Sequence, residues 1–298
     1  MSDLRGFAVS VPGNGHIRRE IPCQDASGVG LAPRPCIIVC DGRGSARYSH
    51  FGARAAVKAF RSQCAVMEDL LAAVLDGEKW NDNRWLRFCD LMIRTVCQQK
   101  HELAEQYQCP ESEFDFTIAF AVWGKERCGF FQVGDGAIVI RENEDCCYTL
   151  FPPDKGEFDN ETRFLRPEAE IRRDYHARLA EAEDISGIAV TSDGPEFLMF
   201  ELAEMTPGPI FNRMFADCAA GSLSRQDVLD YLTRTCWARD PRGNDDRSLV
   251  ILTADGNARP AEPDYVFEES RAGESTATAE PVIPPSDRGF DLELFRHC

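Results

Sequence analysis

Pro35-Cys36-Ile37-Ile38-Val39-Cys40-Asp41-Gly42-Arg43-Gly44 is the stretch on which the fold reading turns: an unbroken apolar run that suits a buried strand and ends in Asp-Gly. The join recurs. Phe130-Phe131-Gln132-Val133 runs into Gly134-Asp135-Gly136, and Ile188-Ala189-Val190-Thr191 runs into Ser192-Asp193-Gly194. Taken singly, each Asp-Gly reads as a two-residue hairpin turn before it reads as a ligand. Two further acidic spots change the weighing: Gln24-Asp25-Ala26 opens a short strand, and Asp245-Asp246 precedes a closing strand at Ser248 to Thr253. If a sheet gathers these strand ends at one rim, the crowded carboxylates are tolerable only with cations to neutralise them. Hard oxygen ligands without a His or Cys cluster select Mg²⁺ or Mn²⁺ over zinc or copper.

Outward from these joins, Gly6 to Val11 reads as a strand stopped by Pro12, Gly13 and Gly15, so two strands precede the first helix. Apolar residues then recur at helical spacing from Ser49 to about Leu75, and again from Trp85 to about Tyr107. Phe116 to Trp123, Gly129 to Val133, Ala137 to Ile140 and Cys147 to Phe151 are short apolar runs split by Gly, Asp and Asn, and they predict an antiparallel meander. A charged loop or lid follows from Pro152 to about Asp184. Next come the strand Ile188 to Thr191, helices near Pro195 to Ala219 and Ser224 to Ala238, and the last strand. This order is not the steady alternation of a doubly wound sheet, and it predicts a layered α+β domain over residues 1–253. From Ala254 to Cys298 the chain turns to Pro, Glu, Ser, Thr and Ala and reads as a disordered acidic tail. Its terminal Phe290, Leu292, Leu294 and Phe295 either pack back on the domain or form a short docking motif.

The 298 residues carry 50 Asp and Glu against 33 Lys and Arg, a formal charge of -17 that repels a nucleic-acid backbone. No run approaches the roughly 20 apolar residues that cross a bilayer, and Met1 to Gly6 lacks the build of a secretory signal, so no membrane partner and a cytoplasmic location are expected. The 13 cysteines form no paired CxxC knuckles and read as reduced core thiols. Rival chemistries are poorly supplied. There is no GxxxxGK[ST] loop, GxSxG elbow or HExxH pair, and Gly13-Asn14-Gly15 lacks the third glycine of a dinucleotide fingerprint. The histidines at 16, 50, 101, 176 and 297 are scattered, and a surface or capping role is the default for each.

The order of motifs resembles the metal-dependent protein phosphatases of type 2C, the PPM family, and in particular its compact stand-alone bacterial branch. Its carriers are Pro22-Cys23-Gln24-Asp25-Ala26, Asp41-Gly42-Arg43-Gly44-Ser45, Phe116-Thr117, Gly134-Asp135-Gly136, Gly156 to Thr162, Ser192-Asp193-Gly194 and Asp245-Asp246-Arg247-Ser248. The resemblance spans about Gly6 to Leu252. It implies a four-layer αββα sandwich, two antiparallel sheets flanked by helix pairs. It also implies a serine/threonine protein phosphatase that hydrolyses phosphomonoesters through a water activated at a binuclear Mg²⁺ or Mn²⁺ centre. Phosphorylated Ser/Thr proteins are the implied substrates, and a cognate kinase an implied partner.

At that centre the resemblance implies that Asp41 bridges both ions, that the Gly42 carbonyl helps hold one, and that Asp193 and Asp245 bind the other. Asp25 matches the early acidic position, but Gln24 stands where a glutamate usually precedes it. Asp135 matches the aspartate of a third metal, whose usual partner position is Phe197, with Glu196 one place off. The phosphate-binding arginine of many members is replaced by Glu20. Arg18, Arg19 and Arg43 are the substitutes, Arg43 being favoured because it follows Asp41 between two glycines. His16, near the same entrance, reads as a general acid or as a capping or surface residue. Gln24, Phe197 and the displaced arginine motivate the alternative, a catalytically weak or inactive module that binds phosphoproteins or a partner kinase.

Overall fold

In the computed structural model, which describes residues 3–143, 146–151, 163–166, 175–236 and 243–255, the run that opened the reading is strand β3, Cys36–Gly42. Side chains alternate across a strand, so Ile38 and Cys40 face one way and Ile37 and Val39 the other, yet all four are buried. A strand covered on both faces explains why an antiparallel protein shows a continuous apolar run where alternation would be usual.

One five-stranded sheet contains β2 (Ala26–Gly30), β3, β4 (Phe116–Trp123), β5 (Arg127–Val133) and β8 (His176–Glu181) in the order β2-β3-β4-β5-β8. The other contains β1 (Asp3–Val11), β6 (Ala137–Asn143), β7 (Cys146–Thr149), β9 (Gly187–Thr191) and β12 (Arg247–Asp255) in the order β1-β12-β9-β6-β7. All pairings are antiparallel. Besides the short α1 (Asn14–Arg19), helices α2 (Ser49–Val66), α3 (Glu68–Leu75) and α4 (Asp82–Tyr107) follow β3 in the chain. They pack Val57, Phe60, Trp85, Phe88 and Met92 on Ile38, Phe120 and Phe131 of the first sheet. Ile37, Val39 and Phe130 meet Ile138, Ile188, Val190 and Val250 between the sheets. After α5 (Glu196–Met199) and a small hairpin of β10 (Phe200–Glu201) and β11 (Thr206–Pro207), helices α6 (Pro209–Ala219) and α7 (Arg225–Asp230) cover the second sheet. There Phe211, Phe215 and Leu232 pack on Val139, Ala189, Leu249 and Ile251. Three apolar seams thus separate four layers, the expected αββα sandwich.

Several expectations change. The meander is split, because β4 and β5 pair in one sheet while β6 and β7 pair in the other. Asp41-Gly42 is no turn: both residues continue β3, opposite Thr117 and Phe116. Gly134-Asp135-Gly136 is no hairpin either, since it carries the chain from one sheet to the other. Gly134 sits at φ 98°, where a side chain would be strained and a Cβ would run into Thr117. Three strands and the short α1 precede the first long helix, not two strands alone. That helix breaks at Met67, and the helix expected from Pro195 to Ala219 is interrupted by the β10–β11 hairpin. The expected lid contains β8. Twelve cysteines are described, all of them free thiols, and most are buried. No described helix is long and apolar enough to cross a membrane. The Gly156 to Thr162 motif and residues 256–298 of the expected tail lie outside the described residues.

Candidate metal centre

Strand ends place the carboxylates. Asp41 is the penultimate residue of β3, Asp135 lies in the crossover between the sheets, and Asp193 follows β9 by two residues. Asp25 directly precedes β2, and Asp245 precedes β12 by two residues. Both sheets therefore contribute. Asp41, Asp135 and Asp193 each offer one ligand oxygen such that the three oxygens lie within 4.8 Å of one another. Asp25 and Asp245 stand outside that group of three.

The electrostatics are costly without a cation. Burial first, then the charges of Asp245 and Asp135, push Asp193 from 3.8 up to about 7. Asp41 is raised well above the usual carboxylate range by desolvation, then by Asp25, Asp193 and Asp245. Asp25 is raised by burial and by Asp246, although Ser248 Oγ donates to its Oδ2 at 2.8 Å. Asp245, at the solvent-exposed side, is raised by desolvation and by Asp246. Such shifts mean that the anionic forms of these groups are disfavoured unless positive charge offsets them. Asp25 Oδ1 and Asp193 Oδ1 are buried and have no hydrogen-bond partner. Buried anionic oxygens in need of a partner, clustered at metal-ligand spacing and made only of hard donors, fit a divalent cation.

Asp246 has a role that the sequence reading did not give it. It is 2% exposed, and its Oδ1 accepts from Gly13 N at 2.8 Å and pairs with His16 Nδ1 at 2.7 Å, while Oδ2 accepts from Gln24 N at 2.5 Å. One carboxylate thus ties α1 and the Gln24-Asp25 segment to the start of β12. The close approach needs glycine, since a Cβ on Gly13 would overlap the Asp245 carbonyl and one on Gly194 that of Asp246. The adjacent acid in Asp245-Asp246 was the visible signal.

His16 is buried against Asp246 and His50 is buried as well, so the surface role expected of the histidines fails for both. Gln24 is buried too. Its Nε2 donates to Ala46 O at 3.0 Å and Ser49 Oγ at 2.8 Å, bracing the segment that leads into α2. Arg19 Nε donates to Gly15 O at 3.0 Å within its own helix, and Arg18 Nη2 reaches Asn244 Oδ1 at 3.5 Å. Glu20 caps α1 with φ 56°. Arg43 extends beside the Phe164 ring, 5.6 Å from its centroid, with Nη1 3.6 Å from Asp115 Oδ2. Phe197 is exposed and brings no carboxylate, whereas the Glu196 charge adds to the upward pressure on Asp193.

The family model described as protein phosphatase 2C matches residues 12–233. The chain belongs to the protein phosphatase 2C family. Serine/threonine-protein phosphatase 3 of Escherichia coli strain K12 is 25% identical over 253 residues, 81% of this chain and 95% of that protein. Two solved structures share the fold. The serine/threonine phosphatase Stp1 from Staphylococcus aureus gives a TM-score of 0.57 at 13% identity, covering 86% of this chain and 96% of that one. The S. agalactiae serine/threonine phosphatase gives 0.57 at 15% identity, covering 85% and 100%. As a protein phosphatase 2C chain it is a metal-dependent hydrolase of phosphorylated proteins, and the reading as an inactive module is not favoured.

Proposed function

We propose that this phosphatase removes phosphate from phosphoserine and phosphothreonine in proteins, with Mn²⁺ or Mg²⁺ held by Asp25, Asp41, Asp135, Asp193 and Asp245 and by the Gly42 carbonyl. The observation that carries the reading is the set of three carboxylate oxygens within 4.8 Å, flanked by buried carboxylate oxygens without partners. Asp41, Asp193, Asp245 and the Gly42 carbonyl would hold the two ions. Asp135 and Glu196 are the acidic groups left for a third. Such cations supply activation of water for in-line attack at phosphorus and neutralisation of the non-bridging oxygens.

The chain's own part is to receive and orient the ester. Arg43 is the phosphate grip in preference to Arg18 and Arg19, because its guanidinium is loosely tethered while Arg19 is engaged with Gly15 and Arg18 leans on Asn244. A planar fork placed just after Asp41 offers paired donors to a phosphate dianion. His16, engaged by Asp246, holds the α1 segment instead of moving a proton. Residues 1–253 form the catalytic unit, the tail is dispensable for chemistry, and a cognate Ser/Thr kinase supplies the phosphorylated substrates. Free, mostly buried thiols agree with the reducing cytoplasm.

Manganese-dependent phosphate release from p-nitrophenyl phosphate and from a phosphothreonine peptide tests the reading, with Asp41→Asn as control. Release from both that is lost in the control is expected. Peptide binding without release would sustain the inactive module instead, and release equal in the control would remove Asp41 from the centre.

A further inference from the structure

The loop after β3 does not hang free. Arg43 N donates to Asp115 O at 2.9 Å, Tyr48 N to Glu113 O at 3.0 Å, and Arg47 N to Glu113 Oε2 at 2.8 Å. The whole loop is strapped to the turn at 111–115, and Asp115 is the point where that strap meets the Arg43 side chain. Asp115 and Lys100 are both buried, and Lys100 Nζ lies 2.7 Å from Asp115 Oδ1. The second oxygen, Oδ2, faces Arg43 Nη1 at 3.6 Å, and the Arg43 side chain remains 42% exposed.

These two distances are unequal for a reason. A buried carboxylate facing an arginine alone forms a short, paired contact of about 2.7–2.9 Å. Here Lys100 occupies one oxygen at that distance and offsets the carboxylate's charge, so the guanidinium is held at 3.6 Å, beyond a hydrogen bond. The Phe164 ring bounds it from another direction. Arg43 is aimed without being consumed, and its charge stays available to an incoming anion. Burying a Lys–Asp pair is a poor route to stability, since desolvation takes back most of what the attraction gives. Ordering a phosphate contact before substrate arrives is a better account of it.

We infer that Asp115 and Lys100 are positioning residues for Arg43: the Lys100 charge keeps Asp115 from capturing the guanidinium, and Asp115 keeps the guanidinium pointed at the phosphate. This rests on the reading of Arg43 as the phosphate grip. The test uses the full-length, manganese-loaded chain and inorganic phosphate as the probe, measured by titration calorimetry, alongside KM and kcat on a phosphothreonine peptide. Lys100→Met frees Asp115 to seize Arg43, so phosphate binding weakens and KM rises by about 10-fold, with kcat changed far less. Lys100→Arg restores the wild-type values. Lys100→Met/Asp115→Asn, which removes the captor as well, binds phosphate better than Lys100→Met alone, an order that simple structural damage would not produce. In an Arg43→Ala background, Lys100→Met has no further effect on phosphate binding, and manganese affinity is equal throughout. Should Lys100→Met fail to fold, Phe164→Leu removes the ring from the other side of the cradle and is expected to weaken phosphate binding by about 3-fold through Arg43 alone. If Arg43→Ala weakens phosphate binding while Lys100→Met and Phe164→Leu leave it unchanged, or act equally without Arg43, the positioning role is overturned. If Arg43→Ala itself changes nothing, the reading of Arg43 as the grip falls first.

Discussion

Asp193 shows at a single residue what the site costs the empty protein. Its carboxyl ionises near 3.8 when exposed and at about 7 in the fold, so the folded chain holds a proton that the unfolded chain releases. A folded-state value raised in this way gives stability that is fully present below pH 4 and is lost as pH rises towards 7, and Asp25, Asp41 and Asp245 shift in the same direction. Thermal melts of the metal-free protein should therefore fall between pH 5 and 7.5, and saturating manganese should flatten the curve; a metal-free Tm that climbs over that range would contradict the electrostatic account. Asp41→Asn and Asp193→Asn should each lower manganese-dependent turnover by at least about 100-fold, because an amide is a poor substitute for an anionic ligand. The same variants should melt higher than wild type without metal, since a repelling charge has gone, and near-normal activity in both would refute their assignment as ligands. These aspartates were legible because each stands where an apolar run stops. Lys100 and Asp115 were not, because their partners lie on other elements and only folding brings them together, while Asp246 showed only as an acid beside Asp245.

At the scale of elements, the joints are where the local pattern gave out. Apolar periodicity located nine of the strands and both long helical stretches, but it could not say which strand pairs with which. Four short runs in succession therefore looked like one meander, although Gly134 to Gly136 passes the chain between sheets. Strand β8 was hidden because half of His176 to Glu181 is polar, its only large apolar residue is Leu179 and it is only half covered, and α1 because six residues carry too little periodicity to register. The Asp246 clamp belongs to this scale, since it joins α1, the segment before β2 and the start of β12. Asp246→Ala strands two buried backbone N–H groups at Gly13 and Gln24, which should lower stability by about 2–4 kcal/mol. Denaturant unfolding checks this, and the manganese affinity should drop with it, because Asp25 and Asp245 flank the clamped segments. A loss below about 0.5 kcal/mol would mean that water replaces the carboxylate at no cost.

For the whole molecule, the last hydrogen-bonded residue described is Asp255 of β12, and every carboxylate and apolar seam of the domain lies upstream of it. A chain cut after residue 255 should fold and hydrolyse p-nitrophenyl phosphate at an unchanged rate. An insoluble or inert fragment would show that the C-terminal 43 residues, 256–298, belong to the domain. The centre also straddles a seam: Asp41 rides on the sheet of β2, β3, β4, β5 and β8, Asp193 on the sheet of β1, β6, β7, β9 and β12, and Asp135 on the link between them. Any ion shared by these residues would be a rivet between two plates that otherwise adhere through side-chain packing and a few hydrogen bonds, among them Ser10 Oγ to Ser27 Oγ and Ser248 Oγ to Asp25 Oδ2. To come apart, the plates must shed their ligands before the packing between them can open, so the rivet acts on the lifetime of the native state more than on its formation. Manganese should slow unfolding in denaturant by about tenfold or more while leaving the refolding rate within about twofold, and stopped-flow chevrons with and without the ion would reveal the asymmetry.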